Sequence, residues 1–166
     1  PPRSTLFPYT TLFRSLIQRK GLDLLLPALA KTPQDVKLWI VGEGQEKDLL
    51  QKQCTELAIS DRVEFLGYQE GEPLQKLYRT ADAFVLPTRE DCFGLVLLEA
   101  MCASLPVISS KYADGARDLV LDGQNGIFFF RHQCTARRIV GLYSMAKTTS
   151  GAISFKVFST PTGINT

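Results

Sequence analysis

The residues best placed to do chemistry lie in the run REDCFGLVLLEAMCASLPVISS, Arg89 to Ser110. Two carboxylates, Asp91 and Glu99, stand eight residues apart in it, and Phe93-Gly94 opens directly into the apolar stretch LVLLEAM. A helix that starts near Gly94 leaves the N–H groups of Gly94, Leu95 and Val96 without intrahelical acceptors. Those groups and the local dipole favour an anion such as pyrophosphate, and Gly94 has no side chain to obstruct it. At helical spacing Glu99 is surrounded by Leu95, Val96, Cys102 and Ala103, so a helix without an ordinary solvent face is expected here. A buried, unpaired carboxylate is costly. A ligand diol such as a ribose at a pocket edge would satisfy Glu99; the alternative is a partly exposed helix end with backbone donors. Asp91 precedes the helix and reads either as a contact to a sugar hydroxyl or as a helix cap or solvated loop acid.

The elements that must position these groups alternate along the chain. GLDLLLPALAK, Gly21 to Lys31, has a helical period that Pro27 is expected to kink or shorten. VKLWIVG, Val36 to Gly42, reads as a fully buried strand. Gln45 to Ile59 is an amphipathic helix. RVEFLG reads as a strand, Pro73 to Ala81 as a short helix with Pro in its first turn, and AFVLP as a third strand. Phe93 to Ala103 is helical, PVISS is a fourth strand, ADGARDLVLDG holds a short helix, and NGIFFF is a last strand. This order implies βαβ crossovers and an α/β fold: a Rossmann-like parallel sheet with helices on both faces. Ligands of such sheets bind beyond the carboxyl ends of the strands. That singles out Gly42 to Gly44, Gly67 to Gly71, Pro87 to Gly94 and Ser109 to Gly115.

Composition removes several function classes. A chain of 166 residues with 45% hydrophobic and 22% charged residues has room for one core-bearing domain. No membrane-length apolar run and no signal-peptide pattern is visible. Cys54, Cys92, Cys102 and Cys134 form no CxxC unit, and His132 is the single histidine, so a histidine-rich metal site is excluded. Reduced, mostly buried cysteines are expected. Gly42-Glu43-Gly44 begins like a dinucleotide fingerprint, but Lys47 occupies the place of its third glycine, which argues against a dehydrogenase and for a tight turn.

The charges are unevenly placed. All seventeen acids lie between Gly21 and Phe130, while residues 1–20 carry four basic residues and residues 131–166 five. The basic residues are scattered and no aromatic stacking pattern accompanies them, so nucleic acid is not an expected partner. Thr5 to Ser15, TLFPYTTLFRS, is similar to the translation of a sequencing-library adapter. Three segments are therefore expected: an artefactual 1–15, a Rossmann-like domain over 16–130, and a divergent or frame-shifted tail over 131–166.

The motifs LIQRKGLDLLLPALAK, LWIVGEG, DRVEFLGY, LYRTADAFVLPT, DCFGLVLLEAM, LPVISS and LVLDGQNGIFF are together specific. They resemble the donor-binding domain of retaining glycosyltransferases of the GT-B architecture, glycosyltransferase family four. The resemblance implies that this stretch is one half of a GT-B fold. Glu99 would hold the nucleotide ribose, and Asp91, one methylene shorter than the family's glutamate, would face the donor sugar. It implies further that Phe93, Gly94, Leu95 and Val96 hold the diphosphate, that Gly67 and Tyr68 line the base pocket, and that Lys20 neutralises the diphosphate. The family's arginine partner falls at Ser15, and the strand preceding it is missing. Asp118, after Gly115, takes the place of a further family glutamate. The implied parent transfers a sugar from a UDP-, GDP- or ADP-linked donor to a glycan or lipid-linked acceptor held by an N-terminal domain. It would use no resident cofactor or metal, and would work in the cytoplasm, peripheral at the inner face of the membrane. This chain alone is expected to be inactive or nearly so. A non-catalytic nucleotide-binding domain and a structural fragment without activity are the alternatives.

Overall fold

The computed structural model describes residues 15–92 and 94–129, and the backbone of one further strand, Ser154–Phe158. The helices are α1 (Leu22–Ala30), α2 (Lys47–Glu56), α3 (Gly71–Thr80), α4 (Leu95–Cys102) and α5 (Asp114–Leu119). The strands are β1 (Lys37–Val41), β2 (Val63–Gly67), β3 (Ala83–Leu86), β4 (Val107–Ser110), β5 (Gly126–Phe129) and β6 (Ser154–Phe158). They form one six-stranded sheet in the order β2-β1-β6-β3-β4-β5. Every pairing in it is parallel.

Strand residues alternate between two cores, as the two-residue period of a pleated strand requires. Leu38, Ile40, Val85, Ile108 and Phe129 pack with Leu25, Leu26 and Leu29 of α1 and Leu50 and Cys54 of α2. Val41, Phe84, Leu86, Val107 and Phe128 pack with Leu74 and Tyr78 of α3, Val96, Leu97 and Ala100 of α4, and Ala116 of α5. Both faces are thus covered at the centre of the sheet, and β3 and β4 are buried along their whole length for that reason.

Two features rest on long-range contacts. Helix α1 runs through Pro27. Proline cannot donate to the carbonyl four residues earlier, and that carbonyl, of Asp23, instead accepts a bond from Gln53 Nε2 of α2 at 3.0 Å. The partner comes from a distant helix, which no local reading supplies. The second feature is β6, which lies between β1 and β3: Lys37 pairs with Ser154 and Ala83 with Phe155. A strand from the acid-free tail thus fills the centre of the sheet.

Candidate functional site

The site grows from the loops at the carboxyl ends of the strands. A single 3-10 turn, Gln18–Lys20, ends at Gly21 with φ of 69°. A Cβ there would come within 2.1 Å of the Pro87 carbonyl oxygen, so only glycine lets this turn lie on the loop after β3. The contact is sealed by Arg89 N donating to Arg19 O at 2.7 Å and Thr88 Oγ1 donating to the same carbonyl at 3.1 Å. The Arg89 guanidinium also grips Asp23 through two bonds of 2.7 and 2.6 Å. This hydrogen-bonded pairing raises the Arg89 pKa above its ordinary value.

Docked in this way, the turn delivers Lys20 to Asp91, with Nζ 3.0 Å from Oδ2. Both are buried, Lys20 at 1% exposure and Asp91 at 6%. Burial drives the ammonium pKa down to about 8, against the pull of Asp91. The other carboxylate oxygen accepts the Gly94 N–H at 3.0 Å. The Asp91 backbone is held by Tyr112 O and by the Asp114 N–H, at 3.1 and 2.9 Å, which ties the loop after β3 to the loop after β4. Asp91 therefore caps α4 and anchors Lys20 at once. The shorter side chain suits this retracted position.

Gly94 stands at the N-cap of α4 in the left-handed region, φ 57°. Its N–H is taken by Asp91, so it does not join the open amides as expected; those of Leu95 and Val96 occupy the first two helical positions. The helix has the solvent face that the sequence reading denied it. Leu95 is 49% and Leu98 42% exposed, and Glu99 and Cys102 are exposed as well. The apolar composition misled because Val96, Leu97 and Ala100 alone suffice to bury the inner face.

Glu99 is thus not a buried carboxylate; its Oε2 accepts a 2.7 Å hydrogen bond from the Tyr78 hydroxyl of α3. Both residues line an open groove of about 890 Å³ between α3 and α4, with Glu70, Gly71, Arg79 and Cys102 also on its walls. Tyr78 was missed by the sequence reading, although it lies in the quoted motif LYRTADAFVLPT; its helical phase marks it only as a core residue.

Gly67 has φ of 66°, and a Cβ on it would meet Glu43 Oε1 at 2.9 Å. Tyr68 donates to Glu70 at 2.7 Å. Neither Gly67 nor Tyr68 lines the groove; Glu70 and Gly71, just after them, do. Phe93 lies outside the described residues. The structure brings Lys20, Asp91 and Gly94 together, and places Glu99 further along α4 beside Tyr78.

The remaining expectations concern the turn after β1 and the cysteines. A Cβ on Gly44 would fall 2.4 Å from Leu16 O, so this glycine serves close backbone packing, and Lys47 pairs with Glu43 at 3.0 Å. Cys54 is buried and its thiol is pushed up to about 11 by burial, whereas Cys92 and Cys102 are exposed, contrary to expectation; they sit on the site loop and the groove wall. Cys134 lies outside the described residues. Among the described residues no cluster of three metal-ligating side chains occurs, and no helix is long and apolar enough to cross a membrane.

A parallel sheet covered on both faces, with a lysine, a carboxylate and a helix N-terminus meeting at its carboxyl edge, is a Rossmann-like α/β arrangement, and its likeness to solved glycosyltransferases makes it a GT-B half-domain. Residues 8–144 match the model of the family described as glycosyl transferases group 1, and the chain belongs to that family. It is 37% identical over 117 residues to an uncharacterized glycosyltransferase of Methanocaldococcus jannaschii, covering 69% of this chain and 30% of that protein. It is 35% identical to the lipopolysaccharide core biosynthesis glycosyltransferase LpsE of Rhizobium meliloti, covering 67% of this chain and 32% of that protein. Among solved structures it is similar to HepE of Anabaena in complex with UDP, at 30% identity and a TM-score of 0.71, over 83% of this chain and 38% of that one. The chain thus spans about a third of the length of these relatives.

Proposed function

We propose that this domain binds the nucleoside-diphosphate part of a UDP-, GDP- or ADP-sugar, and that the protein to which it corresponds transfers the sugar, with retention, to a glycan or lipid-linked acceptor. The observation that carries this reading is the meeting of Lys20, Asp91 and the N-terminus of α4 at the carboxyl edge of the sheet. Glu99 takes the ribose diol; the amides of Leu95 and Val96 take the diphosphate, to which helix termini are suited. Transfer breaks the bond between the anomeric carbon and a phosphate oxygen and forms one to an acceptor oxygen. The departing diphosphate gains charge, which Lys20 and the helix terminus would stabilise. The similar HepE is in complex with UDP, which supports nucleotide binding by this domain. The free thiols fit a reducing compartment, so the reading is cytoplasmic.

A second reading, nucleotide binding without transfer by this chain, is favoured by the same pair. Asp91 already neutralises Lys20, and both are buried. The test is a melting-temperature screen with UDP, GDP, ADP and their sugar conjugates, paired with an assay for sugar release or transfer. A ligand specific to the folded state raises the melting temperature. A rise with one nucleotide is expected, with little or no turnover by this chain. The same melting temperature with every nucleotide would refute donor binding; robust transfer would refute the second reading.

A further inference from the structure

We propose that Tyr78 is a positioning residue that sets the ribose selectivity of this domain by holding the Glu99 carboxylate. This rests on the reading of Glu99 as the ribose ligand. The Tyr78 ring is 4% exposed and packs 6.3 Å, centroid to centroid, from Phe84, a residue of β3 with no exposure. Its hydroxyl is therefore fixed by the core, and it reaches out of that core to Glu99 Oε2 at 2.7 Å. Glu99, by contrast, stands on an exposed helix face where a long side chain samples many rotamers. A hydrogen bond from a packed ring selects one of them before any ligand arrives, which is how preorganisation raises affinity.

The stoichiometry permits this double use. An ionised carboxylate offers about four lone-pair sites across its two oxygens, and a vicinal diol donates two hydrogen bonds. Tyr78 can keep its bond while the diol engages the same carboxylate. Both side chains line one groove whose volume, about 890 Å³, is of the size that holds small-molecule ligands. Tyr78 acts on the ligand through Glu99, and its contribution appears with ligands that carry the diol.

The experiment measures binding of UDP and of its 2′,3′-dideoxy analogue, with GDP and ADP as parallel probes, to the full chain and to Tyr78→Phe, Glu99→Gln and the double variant. Tyr78→Phe removes one oxygen and keeps the packing ring, and the melting temperature of each unliganded variant reports folding. The original chain should prefer the diol-bearing nucleotide. Tyr78→Phe should lower affinity for it about 3- to 10-fold, as the net worth of one ordinary hydrogen bond implies, and leave the dideoxy affinity unchanged. The double variant should match Glu99→Gln alone. If Tyr78→Phe keeps the full diol preference while Glu99→Gln loses it, the Tyr78 proposal is overturned and the ribose reading stands. If Glu99→Gln also keeps the preference, or no probe binds, both are overturned.

Discussion

Replacing Asp91 by Asn tests the account of the Lys20–Asp91 pair quantitatively. The substitution keeps an acceptor for the Gly94 N–H but leaves the Lys20 ammonium, 1% exposed, without its counter-charge. Breaking a buried ion pair typically costs about 3–5 kcal/mol. Lys20 has a cheaper escape. Its pKa is already lowered from 10.5 to about 8 by desolvation. At pH 7 the ammonium is then favoured over the neutral amine by about one pKa unit, or roughly 1 to 2 kcal/mol. The variant can shed the proton for that amount, and the weaker bond to Gly94 adds about 0.5–1 kcal/mol. A total near 2 kcal/mol is expected at pH 7, a fall in melting temperature of about 4–8 °C for a chain of this size.

The pH dependence follows from the same shift. Between pH 8 and 10.5 the unfolded chain holds a proton on Lys20 that the folded chain has lost, so this group makes stability rise with pH across that window. In the original chain Lys20 is neutral at pH 9.5, and the penalty of the Asn variant should shrink to about 1 kcal/mol or less. Urea unfolding of both proteins at pH 7 and 9.5 measures the difference. A penalty of about 4 kcal/mol that persists unchanged at pH 9.5 would refute the reasoning, as would no penalty at pH 7.

Three further outcomes are expected. Gly21→Ala should destabilise by more than about 2 kcal/mol in urea melts, because φ of 69° and a Cβ 2.1 Å from Pro87 O both oppose it; a neutral effect would mean that the turn is not docked on the loop after β3. Gln53→Ala should cost about 1–2 kcal/mol by leaving the Asp23 carbonyl unsatisfied, and less in a Pro27→Ala background where the helix regains its own donor; equal costs in both backgrounds would refute the compensation. Deleting residues 145–166 should remove β6, lower the melting temperature and promote aggregation through the opened strand edges; unchanged stability would show that the sheet closes without this strand.

Much of the framework was legible because its signals are local and periodic. The runs KLWIV, AFVL and VISS announce buried strands by apolar β-branched content, and the helices between them fix a parallel arrangement. The position of Asp91 beside a helix start was equally readable. Its pairing with Lys20 bridges seventy-one positions and was not expected; the family likeness placed Lys20 at the diphosphate and Asp91 at the donor sugar, as separate groups. The environment of Glu99 was misjudged because composition reports how apolar a helix is, not how much of it the sheet can cover. Tyr78, Gln53 and the docking of Gly21 on Pro87 depend on tertiary approach and leave no periodic trace. The place of β6 was illegible for another reason: a five-residue strand specifies little about which gap in a sheet it enters.

That central strand also governs when the fold can exist. On a ribosome the chain emerges in order, so β2 and β1 can pair early and β3, β4 and β5 can follow, but the seam between the two groups waits for Ser154–Phe158. Until then the nascent chain carries two half-sheets with facing open edges, and joining them closes the longest loop among the described strand pairings, Lys37 to Ser154. Completion of the sheet therefore falls late in synthesis, and the open edges at the seam are where an unfinished chain is exposed to mispairing.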